Sequence, residues 1–589
     1  MLETIATKIH GSQKPLPTLN QMFDDHILIR ILSKKRARIA NSRSKKEFNK
    51  RLCRKKKTQK SMAPDDTPDE ICELLPPRRV WKLYRIKNRR GRSSLSLNAI
   101  AIERAAIDRL ANPGENDDKW IVKFRAFTSH LRNCALNTPD FQFRKPRISP
   151  KPKGKDGNHR AIAIYHLEDR IISSQLTLYL RKRFDDQLSD SSYAFREPHN
   201  GRCKSHHDAI DHIYAFHGKH PQGDLWVAEC DIRGFYDCIH HDVVRHAFSE
   251  FVSKAAKAGN PVEPRAKELF HAYLESYSFP QNVLLEALPR LRSKYPNAKI
   301  KWPFDALDEF YEDPMSEPIG VPQGGAISCL IANIVLNQVD SACLPWKASD
   351  RKKVNYSRFC DDMIIMSPNE DLLKCCFLRY VRKLTSIKLP VHEPEVFEKY
   401  DKRFWEIKSK APYRWRYDAE AIGSSPWIAF VGYQIRCDGV VRIRLDSVKK
   451  HFGKIVDLAD NLLRTLFDKS PDGVRVPKPG VRVSSRQALH RLKCQMISSS
   501  VGRPRINDPK SLQSSGMSWV DGYRALYGKI VDLSQMRRFD RHRGSQLSRV
   551  KWVLKILSTK RNSPSAKQKV RYQGGPFSYY GQFREKPEN

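Results

Sequence analysis

Two adjacent carboxylates, Asp361 and Asp362, stand between Tyr356-Ser357-Arg358 on one side and Met363-Ile364-Ile365-Met366 on the other. Both flanks read as strands, so the acidic pair is predicted to lie in the tight turn of a β-hairpin. Held rigidly there, two carboxylates can place a divalent cation. A third, Asp231, stands 130 positions upstream, at the end of a predicted strand running from Val227 to Ile232. Hard divalent ions prefer oxygen ligands, so three carboxylates converging from separate strands suit magnesium, with manganese as a substitute. Acidic pairs in turns are commonly solvated, and an aspartate after a strand is often a helix N-cap. Neither ordinary role accounts for both acidic blocks together with the glycine block Gly320-Val321-Pro322-Gln323-Gly324-Gly325 between them.

The chain has 589 residues, enough for three or four domains, and 40% of them are hydrophobic, enough for folded cores. Its formal net charge of +42 predicts a polyanionic partner, with nucleic acid first and an anionic membrane surface second. No run of 18 apolar residues is present, so no spanning helix is expected. The N-terminus lacks an apolar signal core. The 13 cysteines include no Cys-x-x-Cys pair, which argues against a zinc ribbon and for reduced thiols in a cytoplasm.

Composition divides the chain into five stretches. Residues 1–65 read as a basic N-terminal arm, with 14 Lys or Arg against the single acid Glu47 between Lys34 and Lys60. Such runs are usually solvated tails, but they also neutralise phosphates. Residues 66–145 read as a helical extension. From 146 to 445 strands and helices alternate irregularly, as in an α+β domain. Residues 446–560 turn helical again, and 561–589 form a polar tail. Between the acidic hairpin and residue 430, Glu398–Trp405 and Tyr413–Tyr417 interleave cations and aromatics. That segment reads either as a stacking surface for unpaired bases or as a packed helical insertion.

In this order, Val227–Asp237, Gly320–Ser328 and Phe359-Cys360-Asp361-Asp362 resemble the polymerase blocks of a reverse transcriptase, closest to the bacterial group II intron, retron and defence-associated types. Four further blocks agree: Ser149–Ile164, Asp169-Arg170-Ile171-Ile172, Tyr193-Ala194-Phe195-Arg196 and Phe430-Val431-Gly432-Tyr433. The resemblance covers roughly residues 145 to 450. It implies an α+β right-hand polymerase of fingers, palm with antiparallel sheet, and helical thumb. Asp231, Asp361, Asp362 and the Ile232 backbone carbonyl would hold two magnesium ions. Arg160, with Lys151 or Lys153, would hold the triphosphate. Tyr236 would lie under the sugar and exclude a 2′-hydroxyl. Phe235 belongs to the same pocket block, and of the two aromatics it is the one assigned to the core. Gln323 would lie over the nascent pair, and Gly324 would let the backbone approach it. Arg196, Asn333, Phe430, Gly432 and Tyr433 would contact template or primer. Four positions depart from the family pattern: Ala194 for glycine, Cys329 for proline after Ser328, and Phe359-Cys360 for Tyr followed by Ala or Val.

The resemblance implies an RNA-directed DNA polymerase using dNTPs, an RNA template, and a DNA product or RNA–DNA hybrid. The elaborated ends point to a prokaryotic, cytoplasmic enzyme that copies a structured noncoding RNA in antiphage defence, with a homo-oligomer left open. Retron synthesis, an intron-type maturase, and untemplated or protein-primed synthesis from Tyr579 or Tyr580 are the alternatives.

Overall fold

The structure is a computed structural model. It describes residues 16–558 apart from 53–69, 87–93, 115–116, 154–156, 199–203, 221–224, 295–298, 398–399, 401, 417–426, 470–474, 479–483, 502–520 and 527. The turn 154–156 and the tail bearing Tyr579 and Tyr580 therefore lie outside the described residues. Two compact units emerge, residues 1–27 with 128–426 and residues 28–127 with 427–589. That grouping differs from the five stretches suggested by composition.

The first unit is built on a four-stranded antiparallel sheet. Its strands are β3 (Leu225–Cys230), β4 (Asn355–Phe359), β5 (Asp362–Ser367) and β6 (Lys410–Trp415), in the order β4-β5-β3-β6. The hairpin β1 (Arg147–Pro152) and β2 (His159–Ile164) forms a separate pair, followed by helix α1 (Leu167–Phe184). The central strand β5 is an unbroken apolar run, Met363–Met366, because it is covered on both faces. Helix α2 (His241–Lys257) and helix α4 (Glu370–Ser386) flank helix α3 (Ser328–Cys343), which is buried on nearly every side. A helix this apolar all round belongs inside a core.

Strand β6 corrects the expectation for the segment after the acidic hairpin. Tyr413 and Trp415 are 1% exposed and lie in the core, while Arg414 and Arg416 are more exposed. Residues 413–416 therefore form a strand-period pattern, not an open stacking surface.

The second unit has a three-stranded antiparallel sheet, β7 (Trp427–Phe430), β8 (Tyr433–Arg436) and β9 (Val441–Ile443). Among the described residues that follow are the helices α5 (Leu445–Leu466), α6 (Ser485–Val501) and α7 (Leu533–Ser558). Ile455, Ala459, Leu462, Leu463 and Leu466 line one face of α5 at helical spacing and close a core with Leu492, Val550 and Leu554. The N-terminal arm is also more than a solvated tail. A helix spans Asp25–Leu52, and Leu28, Leu32 and Ala37 on it are fully buried. No helix among the described residues is long and apolar enough to cross a membrane.

Candidate active site

Strand pairing assembles the carboxylates. Cys230 pairs with Met363 across β3 and β5, and one step further along the two chains lie Asp231 and Asp362. Asp361 sits in the β4–β5 turn, where Cys360 takes a left-handed φ of 62°. Burial pushes the Asp361 carboxyl up, and the charge of Asp231 adds to that push. Its own backbone N–H, the Cys360 thiol and the Arg160 guanidinium pull the other way. Two carboxylates that feel each other in this way would be relieved by a cation. Among the described residues, no three His, Cys, Asp or Glu side chains are gathered closely enough to hold an ion as they stand. The donor chemistry, oxygen only and partly buried, nevertheless fits a hard divalent ion.

Asp231 is positioned from the strand on its other side. Its backbone N–H donates to Ser409 Oγ at 2.9 Å, and its carbonyl accepts from the His392 N–H at 2.9 Å. Lys408 Nζ lies 2.9 Å from Asp231 Oδ2 and 3.0 Å from His392 Nε2. Burial and the Lys408 charge lower the His392 pKa, so this ring is held neutral beside the ammonium. Sequence reasoning missed Lys408, Ser409 and His392. They lie far from Asp231 in the chain, and only the pairing of β3 with β6 brings Lys408 and Ser409 to it.

The turn is held from behind by a buried ion pair. Arg358 donates from Nε and Nη2 to the Asp340 carboxylate at 2.7 Å each, and both side chains are fully buried. Burial alone would lower the Arg358 pKa, but the adjacent Asp340 carboxylate outweighs it and raises the pKa above its ordinary value. Tyr356 Oη donates to Asp340 at 2.5 Å, and Arg358 Nη1 donates to the Cys360 carbonyl at 3.0 Å. The conformation of the acidic turn is thus tied to helix α3.

Lys151, Lys153 and Arg160 lie exposed on the β1–β2 hairpin, where Lys151 and Arg160 are cross-strand partners. The charges of Lys153 and Arg160 both act on Asp237, and that of Arg160 also acts on Asp361. Gln323 Nε2 donates to both Asp237 oxygens at 2.9 Å, and its carbonyl accepts from the Ala163 N–H of β2. Gly324 follows at φ 99°, where an added Cβ would meet Ile162 and the Ala163 carbonyl at 3.2–3.3 Å. Phe235 is 2% exposed and packs edge-on against Tyr236, with ring centroids 5.2 Å apart. Ile232 is buried and bridges to Val391.

Other expected contacts are structural. Arg196 spends its guanidinium on the Asp185 carboxylate and carbonyl and on the Ser189 and Ser192 carbonyls. Asn333 is fully buried and donates to the Ala194 carbonyl at 2.8 Å. Both are therefore occupied in the frame of the unit, which corrects their assignment to template or primer. Phe430 and Tyr433 are likewise buried, in the second unit, on either side of a turn in which Gly432 has φ 91°.

Burial pushes the Asp237 carboxyl up to about 7, against the pull of Gln323, Lys153 and Arg160. Above about pH 4 the unfolded chain gives up a proton that the folded chain still holds. This group therefore stabilises the fold most at low pH, and its contribution fades as pH rises through about 7. The thermal midpoint of Asp237→Asn should accordingly gain on the native midpoint between pH 5 and pH 8. A constant difference across that window would contradict the assignment.

Residues 149–394 match the family model described as reverse transcriptase (RNA-dependent DNA polymerase). Over 206 residues the chain is 27% identical to a Saccharomyces cerevisiae protein described as a COX1/OXI3 intron 1 protein. That alignment covers 35% of this chain and 19% of the relative, so the chain spans about a fifth of the curated relative it matches. Among solved structures, apo telomerase from Candida tropicalis truncated from its C-terminal domain is 14% identical with a TM-score of 0.34, covering 60% of this chain and 69% of that one. Telomerase from Candida albicans in complex with a TWJ fragment of telomeric RNA is 11% identical with a TM-score of 0.32, covering 79% and 71%. Structural likeness of that size carries no inference. The family match runs from within β1 to just past His392, so it takes in β2, β3, β4 and β5 but not β6.

Proposed function

We propose that this chain, with a reverse transcriptase domain over residues 149–394, is an RNA-directed DNA polymerase that extends a primer with dNTPs. The observation that carries this reading is the meeting of Asp231 with Asp361 at the ends of neighbouring strands, within reach of the Arg160 charge on β2. Asp231, Asp361 and Asp362, with the Ile232 carbonyl, are the groups that would hold two magnesium ions. When bound, the ions activate the primer 3′-hydroxyl and steady the leaving pyrophosphate.

The protein's own groups do the rest. Lys153 and Arg160 neutralise the incoming triphosphate, and Lys153 is preferred over Lys151 because its charge reaches Asp237. Gln323, fixed by Asp237 and by β2, covers the nascent pair. Tyr236 lies under the sugar. Lys408 keeps the Asp231 carboxylate oriented. Catalysis is positioning and charge neutralisation, with no covalent intermediate.

The biological template is a structured noncoding RNA copied in antiphage defence, in a prokaryotic cytoplasm. The second reading is an intron-type reverse transcriptase and maturase, favoured by the description of the curated relative as an intron protein. Sequencing the nucleic acid that co-purifies with the native chain and with Asp361→Ala separates the two. A discrete noncoding RNA in both, with complementary DNA only in the native sample, supports the first reading. Intron RNA in both supports the second.

The basic run from Lys34 to Lys60 offers cations to phosphates. Deleting it would also remove the buried Leu28–Ala37 face if the cut began at residue 1, so replacement is the cleaner test. Changing the cations between Arg43 and Lys60 to glutamine should weaken RNA binding. It should also flatten the salt dependence of log Kd, by about 0.7 to 0.9 for each phosphate no longer neutralised. An unchanged slope would show that this run is not an electrostatic anchor.

A further inference from the structure

Cys329 and Cys360 are two of the positions at which this chain departs from the family pattern, and both lie near the Tyr236 hydroxyl. Tyr236 Oη lies 3.1 Å from Cys360 Sγ, where either group can donate. The Cys329 thiol, at the start of α3, lies close enough to act electrostatically on the same hydroxyl. The Tyr236 ring is also fixed edge-on by the buried Phe235. Cys360 in turn cannot drift. Its backbone sits at φ 62° in a two-residue turn, and its carbonyl is held by Arg358, which is locked by Asp340. The hydroxyl is thus held by the thiol of the metal-site turn, with Cys329 of α3 nearby.

We infer that Cys360 is a positioning residue for sugar discrimination, clasping the Tyr236 hydroxyl so that the ring cannot swing aside for a 2′-hydroxyl. The inference rests on the polymerase reading and adds a determinant to it. A tyrosine ring turns about two side-chain bonds, and a ring held only by packing can yield to one extra oxygen. A ring tethered at its far end to a fixed turn must break a hydrogen bond to do so. Removing that hydrogen bond corresponds to about a three- to tenfold change in selection. The tether also couples the sugar pocket to the metal turn, because the same Cys360 whose side chain holds Tyr236 precedes Asp361 in the chain.

The test is single-nucleotide incorporation of a dNTP and its matching rNTP by the native chain, Cys360→Ala, Cys360→Ser and Tyr236→Phe. The dNTP/rNTP ratio of kcat/KM should fall about three- to tenfold in Cys360→Ala, mainly through a lower KM for the rNTP. Cys360→Ser, which keeps a donor, should stay near the native ratio. Adding Cys360→Ala to Tyr236→Phe should change little further, because both remove the same hydrogen bond. Native discrimination in Cys360→Ala, or full additivity in the double variant, overturns the inference while leaving the polymerase reading intact. A native chain that incorporates neither nucleotide overturns the polymerase reading, and the selective role with it. The clasp itself has a readout apart from activity. Alkylation of Cys360 by N-ethylmaleimide, followed by mass spectrometry, should quicken several-fold in Tyr236→Phe, and an unchanged rate would contradict the clasp.

Discussion

Asp231→Asn should abolish primer extension while leaving the fold in place. The substitution keeps the size of the side chain but removes one of the charges available to a divalent ion. An ion's contribution to the transition state is several kcal/mol, so the expected loss of kcat is on the order of a thousandfold or more. The structural cost is small. The backbone N–H of residue 231 still donates to Ser409, and its carbonyl still accepts from the His392 N–H. The pair with Lys408 that disappears involves an ammonium that is 54% exposed, and pairs of that kind contribute little. The charge that raises the Asp361 carboxyl also disappears, so that group should titrate lower than in the native chain. Extension assays beside thermal unfolding check both halves. A variant that keeps most of its activity would remove Asp231 from the metal set.

The second large effect is on stability. Asp340→Ala leaves the fully buried Arg358 without its carboxylate, and stranding a buried charge costs about 3–5 kcal/mol. Tyr356 loses its acceptor as well. The damage should reach the active site, because Arg358 also holds the Cys360 carbonyl of the acidic turn. The double variant Asp340→Ala/Arg358→Met separates the two consequences. Removing both charges should recover much of the stability, since a buried pair replaced by apolar groups is often neutral. Activity should stay low, because the Cys360 carbonyl of the turn has still lost its Arg358 donor. Denaturant unfolding and extension assays on the single and double variants would show this. Recovery of activity together with stability would mean that Arg358 serves the core alone.

How much of this is readable from the chain follows from how local each signal is. The Asp361-Asp362 turn is announced by strand residues on both sides, and the Asp231 strand by its own apolar run. Their meeting needs only that the two strands pair. Lys408 and Ser409 carry no such mark, because they reach Asp231 through the edge pairing of β6 with β3. The segment holding β6 reads by composition as aromatics among cations, yet its period is the better guide. Tyr413 and Trp415 alternate with Arg414 and Arg416, as the two faces of a strand must. Arg196 and Asn333 show the opposite failure. Their residue types suit nucleic acid, but each is spent on backbone carbonyls that hold the loop around residues 185–196. The Asp340–Arg358 pair is invisible to pattern, since a carboxylate on a helix and a guanidinium on a strand are expected at the surface until the fold buries them.

The most direct test is extension of a DNA primer on a defined RNA template by the purified chain, with magnesium and the four dNTPs, and with the product sequenced. The account predicts DNA complementary to the RNA, absent when Asp231→Asn replaces the native chain. Untemplated product, or no extension on RNA from any primer while RNA is still bound, would contradict it.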